Sequence, residues 1–279
     1  MKRTFTLFAA LMLTAFTAGA TVPETDTDTT TTETVAAIAE PETLVVEEVS
    51  EDDGFWMGAS LDFASNYIWR GFDQSYRGGD KNMFDPSLQA GLTFGYGNFY
   101  IDLWANHSRV SQYNELDIFL GYENENLTIT LYDVLCGVGE EFTKMDVFDT
   151  NNHSLTATID YTMFDRLRLH WSTTFIHPDD KLATGEQAYS SYFEVAYTQP
   201  VRDLFNIELT AGASPWTSPF WCYERDMESV PTGFNVTNLS LMLTKDFELG
   251  FITFPIKAGY IYNPTTNFNY LYLQTGIAF

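Results

Sequence analysis

The sequence predicts an all-β protein: a transmembrane antiparallel up-and-down β-barrel of about 12 strands, with both termini on the periplasmic side. Two observations lead to this prediction. From Gly54 onward, apolar residues alternate with polar or small ones at a period of two, and the connections between the alternating segments are short and long in turn. A third observation, an N-terminal export signal, places the chain beyond the inner membrane.

The first 20 residues have the composition of a cleaved signal peptide. Lys2 and Arg3 precede a short apolar run at residues 5–16, and the Ala18-Gly19-Ala20 sequence fits the small-x-small cleavage pattern. The alternative, a membrane-anchoring helix, needs about 20 apolar residues, and this run is shorter. We therefore predict cleavage after Ala20.

Residues 21–53 are predicted to be a disordered, acidic periplasmic linker. They hold eleven carboxylates, no Lys or Arg, and four consecutive threonines at positions 29–32. Such a composition cannot bury an apolar core. A flexible tether is the favoured interpretation, and a specific binding tail is the alternative. The net charge of −24 for the whole chain argues against a nucleic-acid partner, which requires a basic surface.

The barrel is predicted to occupy residues 54–279. In its first strand Met57, Ala59, Leu61 and Phe63 share one face, as expected for a strand with an apolar side and a polar side. The predicted strands cover residues 55–65, 87–96, 99–106, 115–122, 127–132, 154–161, 166–175, 192–197, 205–211, 238–243, 254–260 and 270–279.

The lengths of the connections distinguish a membrane barrel from a soluble sandwich. Tight turns are predicted at residues 95–98, 123–126, 162–165, 199–203 and 245–248, although the pattern of the last pair of strands is blurred up to Thr253. The other connections, mostly longer, are at residues 66–86, 107–114, 136–152, 177–188, 214–234 and 263–267. Periplasmic turns and outer loops of a transmembrane barrel alternate in this way, whereas a sandwich has no reason to sort loop length by end.

Both faces of the predicted strands fit a membrane barrel. Aromatic residues lie on the apolar face near the predicted periplasmic end, as in an aromatic girdle, although strands are also enriched in aromatics generally. They are Phe94, Tyr96, Phe99, Tyr122, Tyr161, Tyr197, Phe205 and Phe279. The opposite face carries charged residues that would be costly in a packed core but tolerated in a wet lumen.

The C-terminal strand, which ends at Phe279, resembles the signal by which barrel-assembly machinery recognises its clients. Residues 58–75 also resemble the opening strand of the TorF-like family of porins, through Ser65, Tyr67, Arg70 and Gly71 in a Ser-x-Tyr-x-x-Arg-Gly pattern. A second similar stretch is residues 114–122, so the resemblance covers about residues 58–131. It implies a porin-like barrel of the Gram-negative outer membrane, with outer-membrane lipid and lipopolysaccharide around it.

We predict a narrow channel for passive diffusion of small polar solutes, with no enzymatic activity, cofactor or metal. Inward carboxylates outnumber the inward cations Arg166, Arg168 and Lys257, which predicts a weak preference for cations. Paired charges that only hold the wall together are the alternative. The pore-lining candidates are Asp62, Arg70, Asp102, Trp104, Asp117, Asp160, Arg168, His170, Glu194, Glu208 and Lys257.

Some of these residues allow two interpretations. By the parity of the first strand, Arg70 should face inward near the outer rim, where it either lines a constriction with Asp62 or anchors the first loop through a loop carboxylate. To act as a catalytic base, His170 would need a serine within hydrogen-bond reach and a third group that orients it. Ser172 and Ser154 could be near, but the alternation of the strands does not by itself bring them there, so an enzyme is disfavoured.

The outer loops suggest a different class of function, a non-conducting structural or adhesive barrel that acts through them. Residues 214–234 include Trp216, Phe220, Trp221 and Tyr223, which could bind a sugar or fold into the lumen as a plug. Cys136 and Cys222 lie in two of the predicted outer loops and are candidates for a disulfide in an oxidising compartment.

Overall fold

The computed structural model describes residues 54–74, 84–222 and 229–278. The strands are β1 (Phe55–Ala64), β2 (Ile68–Trp69), β3 (Phe72–Asp73), β4 (Ser87–Tyr96), β5 (Phe99–Ser108), β6 (Tyr113–Glu123), β7 (Leu127–Val138), β8 (Ser154–Met163), β9 (Leu167–Ile176), β10 (Ser191–Val201), β11 (Phe205–Ser214), β12 (Asn235–Leu249), β13 (Ile252–Asn263) and β14 (Phe268–Ala278). The signal peptide, the linker and Phe279 lie outside the described residues, so the assignments made for them stay predictions.

Twelve of the strands form one closed antiparallel barrel, which confirms the predicted fold. β1 pairs with β4, each of the strands β4–β14 pairs with the next, and β14 returns to β1. The closing pair runs from Ser60↔Ala278 to Ala64↔Gln274. β2 and β3 lie outside this ring and form a small hairpin between β1 and β4.

The connections alternate in length as predicted, and the helices in their described residues are short. Tight turns follow β4, β6, β8, β10 and β12, and the other connections include α1 (Glu140–Thr143), a 3-10 turn at Thr150–Asn152 and α2 (Pro219–Cys222). Within the described ranges, no helix is long and apolar enough to cross a membrane.

The predicted turn at residues 245–248 is wrong. β12 continues to Leu249, and the turn is at residues 250–251. Cross-strand pairs Phe247↔Phe254 and Leu249↔Ile252 extend the ladder beyond the predicted end. Gly250, with φ of 64°, adopts the left-handed conformation that the turn requires, and no residue of the predicted turn is a glycine.

The barrel is inverted relative to a soluble protein. Its inward face is buried and largely polar, with side chains such as Asp102, Glu208 and Thr158, whereas aliphatic residues such as Leu120 and Leu209 are more than half exposed on the outside. The aromatic residues predicted for the girdle lie on the outward face at the end with the tight turns, apart from Phe279, which lies outside the described residues. At this end Phe99 contacts Tyr122 edge to face, with 5.2 Å between ring centroids.

Inward glycines make room for large inward aromatic rings. A Cβ atom on Gly121 would lie 2.1 Å from the Tyr100 ring, and one on Gly212 would lie 1.9 Å from the Tyr192 hydroxyl. The small residue on one strand therefore lets the large residue of another reach across the wall. This packing fills part of the lumen and positions the site described next.

Candidate functional site: a constriction inside the barrel

The segment between β1 and residue 74 folds into the barrel. We call residues 65–74 the inserted segment. Ser65 continues the pairing of β1 with β14, because its backbone N–H donates to Leu273 O at 2.7 Å. The chain then turns inward through the β2–β3 hairpin, which is closed by a hydrogen bond from Gln74 N to Tyr67 O at 2.8 Å. Tyr67, Arg70 and Gln74 are all buried.

Arg70 connects the inserted segment to the opposite wall. Its Nη1 donates to the Ser172 hydroxyl at 2.6 Å and its Nη2 lies 2.8 Å from His170 Nε2, both on β9. The guanidinium carbon lies 4.3–4.7 Å from the ring centroids of Trp69, Tyr192 and Trp221. A cation held by both hydrogen bonds and aromatic faces is strongly localised.

The hydrogen bonds of His170 define its tautomer. A guanidinium group only donates, so Nε2 facing Arg70 must be an acceptor. Nδ1 then carries the proton and donates to Asp160 at 2.9 Å. Because Ser172 contacts Arg70, and the acceptor nitrogen of His170 is taken by the same guanidinium, this arrangement does not make a serine–histidine nucleophile pair.

A charged network extends from His170 along the wall. Arg168 donates to Asp160 at 2.8 Å and also pairs with Glu194 on β10. Glu194 in turn accepts from the Tyr192 hydroxyl and, at 3.0 Å, from Asn238. Arg168 and Glu194 are nearly fully buried, so each charge is compensated by hydrogen-bonded neighbours in the wall.

The inserted segment is also fixed to a second part of the barrel wall, formed by β5 and β6. The Tyr67 hydroxyl donates to Glu115 on β6 at 2.7 Å, and Tyr113 donates to the same carboxylate. The Tyr67 ring packs on Trp104, with 5.3 Å between ring centroids. Tyr67 contacts β6, Arg70 contacts β9 and Gly71 lies against β12, so the inserted segment is held at three separate parts of the ring and lies across the lumen.

Gly71 allows the close approach of the inserted segment to β12. Its φ is 86°, and a Cβ atom at this position would lie 1.9 Å from the Thr237 carbonyl oxygen. Its own carbonyl accepts a hydrogen bond from Asn263 Nδ2 at 3.0 Å. A residue with a side chain would therefore meet both backbone strain and a direct clash here.

The loop between β11 and β12 contributes residues to both sides of the wall. Trp221 is buried and packs on Trp69 with 4.7 Å between centroids, so it closes over the Arg70 site. Trp216 is exposed and lies 5.9 Å from Trp171 on the outer surface. The predicted aromatic cluster is therefore divided between the lumen and the outer wall, and Tyr223 lies outside the described residues.

The pore-lining candidates all lie on the inward side of the barrel. Arg168, His170, Asp160 and Glu194 belong to one hydrogen-bonded network, and Trp104 packs under the inserted segment. The remaining candidates are buried at separate points of the inner wall: Asp62, Asp102, Asp117, Glu208 and Lys257. Their role in lining a pore stays a prediction.

Two details of the sequence interpretation need correction. Arg70 does not follow the parity of the first strand, because β1 ends at Ala64 and Arg70 lies on the inserted segment with φ of 53°. Arg166 is not an inward residue: it is exposed in the turn before β9 and donates to Gln199.

The structure does not test the predicted disulfide. Cys136 is partly buried on β7, whereas the side chain of Cys222 lies outside the described part of the chain, so their pairing stays a prediction. No group of three or more potential metal ligands occurs among residues 54–74, 84–222 and 229–278.

The sequence indicates Trp221 as one of several aromatic residues that could fold into the lumen, but it does not indicate that Ser172 and Tyr192 contact Arg70. The Ser65–Gly71 pattern was the available signal, since each of its four defining residues holds the inserted segment in place.

Comparisons with known proteins do not assign this chain to a family. No family model matches the sequence, so the resemblance to the TorF-like family is not confirmed, and no curated protein matches it. The chain is similar to the solved structure "NanC porin structure in rhombohedral crystal form", with 10% identity and a TM-score of 0.44 over 80% of this chain and 99% of that one. It is also similar to "Bacterial polysaccharide outer membrane secretin", with 9% identity and a TM-score of 0.38 over 79% of this chain and 97% of that one.

Proposed function

We propose that this protein is a porin-like channel of the Gram-negative outer membrane, through which small polar solutes diffuse along a lumen narrowed by the inserted segment. The observation that carries the proposal is the inversion of the barrel. Aliphatic side chains cover the outside of the closed ring, and charged or hydroxyl side chains line its inside. Water is the natural environment of the inner face, and lipid that of the outer face.

The height of the apolar surface supports a membrane location. β4 has ten residues. At about 3.4 Å per residue and a tilt of about 40°, such a strand rises roughly 25 Å, which matches the apolar band of transmembrane barrels. Removing each outward aliphatic side chain from water is favourable by about 1.5–3 kcal/mol, and the belt contains many of them.

The size and the polar lining of the lumen favour the passage of small polar solutes over large ones. Between the inserted segment and the wall there is a cavity of about 110 Å³ lined by polar and aromatic side chains. Inward carboxylates outnumber the inward cations Arg70, Arg168 and Lys257, so we retain a weak preference for cations. Two of the carboxylates, Asp160 and Glu194, are paired with Arg168, which keeps this preference small.

A non-conducting barrel is the second candidate. The observation that favours it is the inserted segment itself, which contacts β6 and β9 and, together with Trp221, obstructs the lumen. In that case the outer loops would carry the function. We infer no enzymatic activity for either candidate, because the hydrogen bonds of His170 match a structural network.

The proposed environment includes outer-membrane lipid and lipopolysaccharide around the belt, and barrel-assembly machinery that recognises the last strand. These partners follow from the membrane proposal and from the C-terminal sequence.

Planar-bilayer recording tests the function. We expect small, stable conductance steps from refolded protein, and a reversal potential in a salt gradient that indicates weak cation preference. A folded barrel that gives no current, either as the wild type or after Arg70→Ala, would support the non-conducting candidate. Anion selectivity would contradict the proposed preference.

A further inference from the structure

The cavity beside the inserted segment has a lining rich in neutral hydrogen-bonding groups. Gln89 projects from β4, Asn238 and Ser240 from β12, and Gln274 from β14. Trp69, Trp104 and Tyr272 add aromatic rings to the same lining. A small number of precisely placed polar groups among aromatic side chains is typical of a site that binds a small molecule.

The amides of this lining retain hydrogen-bonding capacity. Asn238 is 8% exposed and donates to Glu194, but its buried Oδ1 has no hydrogen-bond partner in the described part of the chain. Gln274 accepts from the Tyr272 hydroxyl at 2.6 Å, which leaves its Nε2 group as a donor. Gln89 donates to Ser87 at 3.0 Å, which leaves its Oε1 as an acceptor.

The charged groups of the lining are already engaged with the wall. Arg70 contacts Ser172 and His170, and Glu194 accepts from Arg168 and Asn238. Lys257, the third charged side chain of the lining, also interacts with other groups of the protein. What the cavity offers a solute is therefore a mixture of amide donors and acceptors. A hydroxyl group both donates and accepts, so it matches either kind of amide atom. Trp69 packs on Trp221 and Trp104 packs on Tyr67, so the parts of Trp69, Trp104 and Tyr272 that line the cavity are what provides apolar surface for a sugar ring.

We propose that this cavity binds a small neutral polyhydroxylated solute, such as a single sugar ring. The proposal rests on the proposed function, since it names the solute class that the channel would favour. Asn238 and Gln274 are its specificity-determining residues, because their amides present an acceptor and a donor from two different strands.

The test measures binding separately from conduction. Intrinsic tryptophan fluorescence of the purified barrel in detergent is titrated with glucose, glucuronate and glucosamine, which share one ring and differ in charge. We expect saturable binding of glucose, weaker binding of both charged sugars, and reversible reduction of the bilayer current by glucose.

Variants assign the effect to the cavity. Asn238→Leu and Gln274→Leu should each weaken glucose binding by about tenfold, the effect of losing one hydrogen-bonded amide. Asn106→Leu is the matched control: Asn106 is an inward amide on β5 that does not line the cavity, and its variant should bind glucose as the wild type does. Gln274→Leu keeps the test valid if Asn238→Leu fails to fold, because the hydrogen bond that the Gln274 side chain makes among the described residues is with its near neighbour Tyr272.

The outcomes separate this inference from the proposed function. No saturable effect of glucose on a barrel that conducts would overturn the inference and leave the channel standing. Saturable glucose binding without any conductance would support the site and contradict the channel. Tighter binding of glucuronate or glucosamine than of glucose would overturn the neutral solute class, and an equal loss in Asn106→Leu would overturn the location.

Discussion

Replacing Arg70 with alanine should release the inserted segment from the β9–β10 wall and widen the lumen. The arginine makes hydrogen bonds to Ser172 and His170 and is surrounded by the rings of Trp69, Tyr192 and Trp221. Alanine removes all of these contacts at once, whereas the Tyr67–Glu115 bond on the other wall remains.

The size of the effect follows from these contacts. A hydrogen bond to a charged group contributes about 1.5–3 kcal/mol, so the two of them contribute about 3–6 kcal/mol. The cation–π contacts add to this value. At 1.4 kcal/mol per tenfold change, the ratio of docked to released segment should fall by roughly 10²–10⁴ from the hydrogen bonds alone.

Single-channel recording in planar bilayers measures the result. Arg70→Ala should show larger or more frequent open steps than the wild type, and Arg70→Lys should lie between them because lysine cannot reproduce the guanidinium geometry. Arg202→Ala, at an exposed turn, is the matched control and should conduct as the wild type does. Wild-type conductance from a folded Arg70→Ala barrel would refute the idea that this arginine holds a constriction.

Three further predictions concern other parts of the molecule. Gly71→Ala should also raise conductance, because its Cβ would clash with the Thr237 carbonyl at 1.9 Å; unchanged single-channel traces would mean that the segment does not need this close approach. Leu241→Arg, in the outward belt, should destabilise the barrel in lipid by about 2–4 kcal/mol in a urea-unfolding titration, whereas a cost near zero would place this residue outside the hydrocarbon region. The hydrogen bond to Asp133 at 2.5 Å raises the pKa of His153 above its usual value. The stabilising effect of the His153–Asp133 pair on the β7–β8 connection is therefore complete below about pH 6.5 and is lost as pH rises through the raised pKa of His153. Hydrogen exchange in this connection should then accelerate at alkaline pH. Exchange rates that do not change beyond the intrinsic effect of pH would show that the pair does not stabilise the connection.

The barrel could be predicted from the sequence because each strand carries its own local signal. Alternation in a segment such as residues 87–96 identifies both a strand and its two faces, and the tight turns fix which neighbours pair. The prediction of the turn after β12 failed because the sequence pattern there is ambiguous. Lys245 and Asp246 have turn-like composition, yet they continue β12 because Gly250 is the residue suited to the turn.

The constriction could not be predicted in the same way. Arg70 and Ser172 are 102 residues apart in the sequence and belong to different elements that meet only in the closed barrel, so no periodicity connects them. Parity applies only inside a strand, and β1 ends six residues before Arg70, counting from Ala64 to Arg70. The arrangement depends on how the closed ring brings β9 opposite the inserted segment, which only the tertiary structure provides.

The proposed membrane location is tested most directly at two neighbouring residues of β12, the outward Leu241 and the inward Met242. Each is replaced by cysteine in a background with Cys136→Ser and Cys222→Ser, spin-labelled, and reconstituted in liposomes. The label at 241 should collide with oxygen dissolved in lipid and be shielded from an aqueous nickel chelate, and the label at 242 should not be reached by oxygen from the lipid. Equal accessibility of both labels to the aqueous chelate would contradict a barrel whose outer face meets lipid.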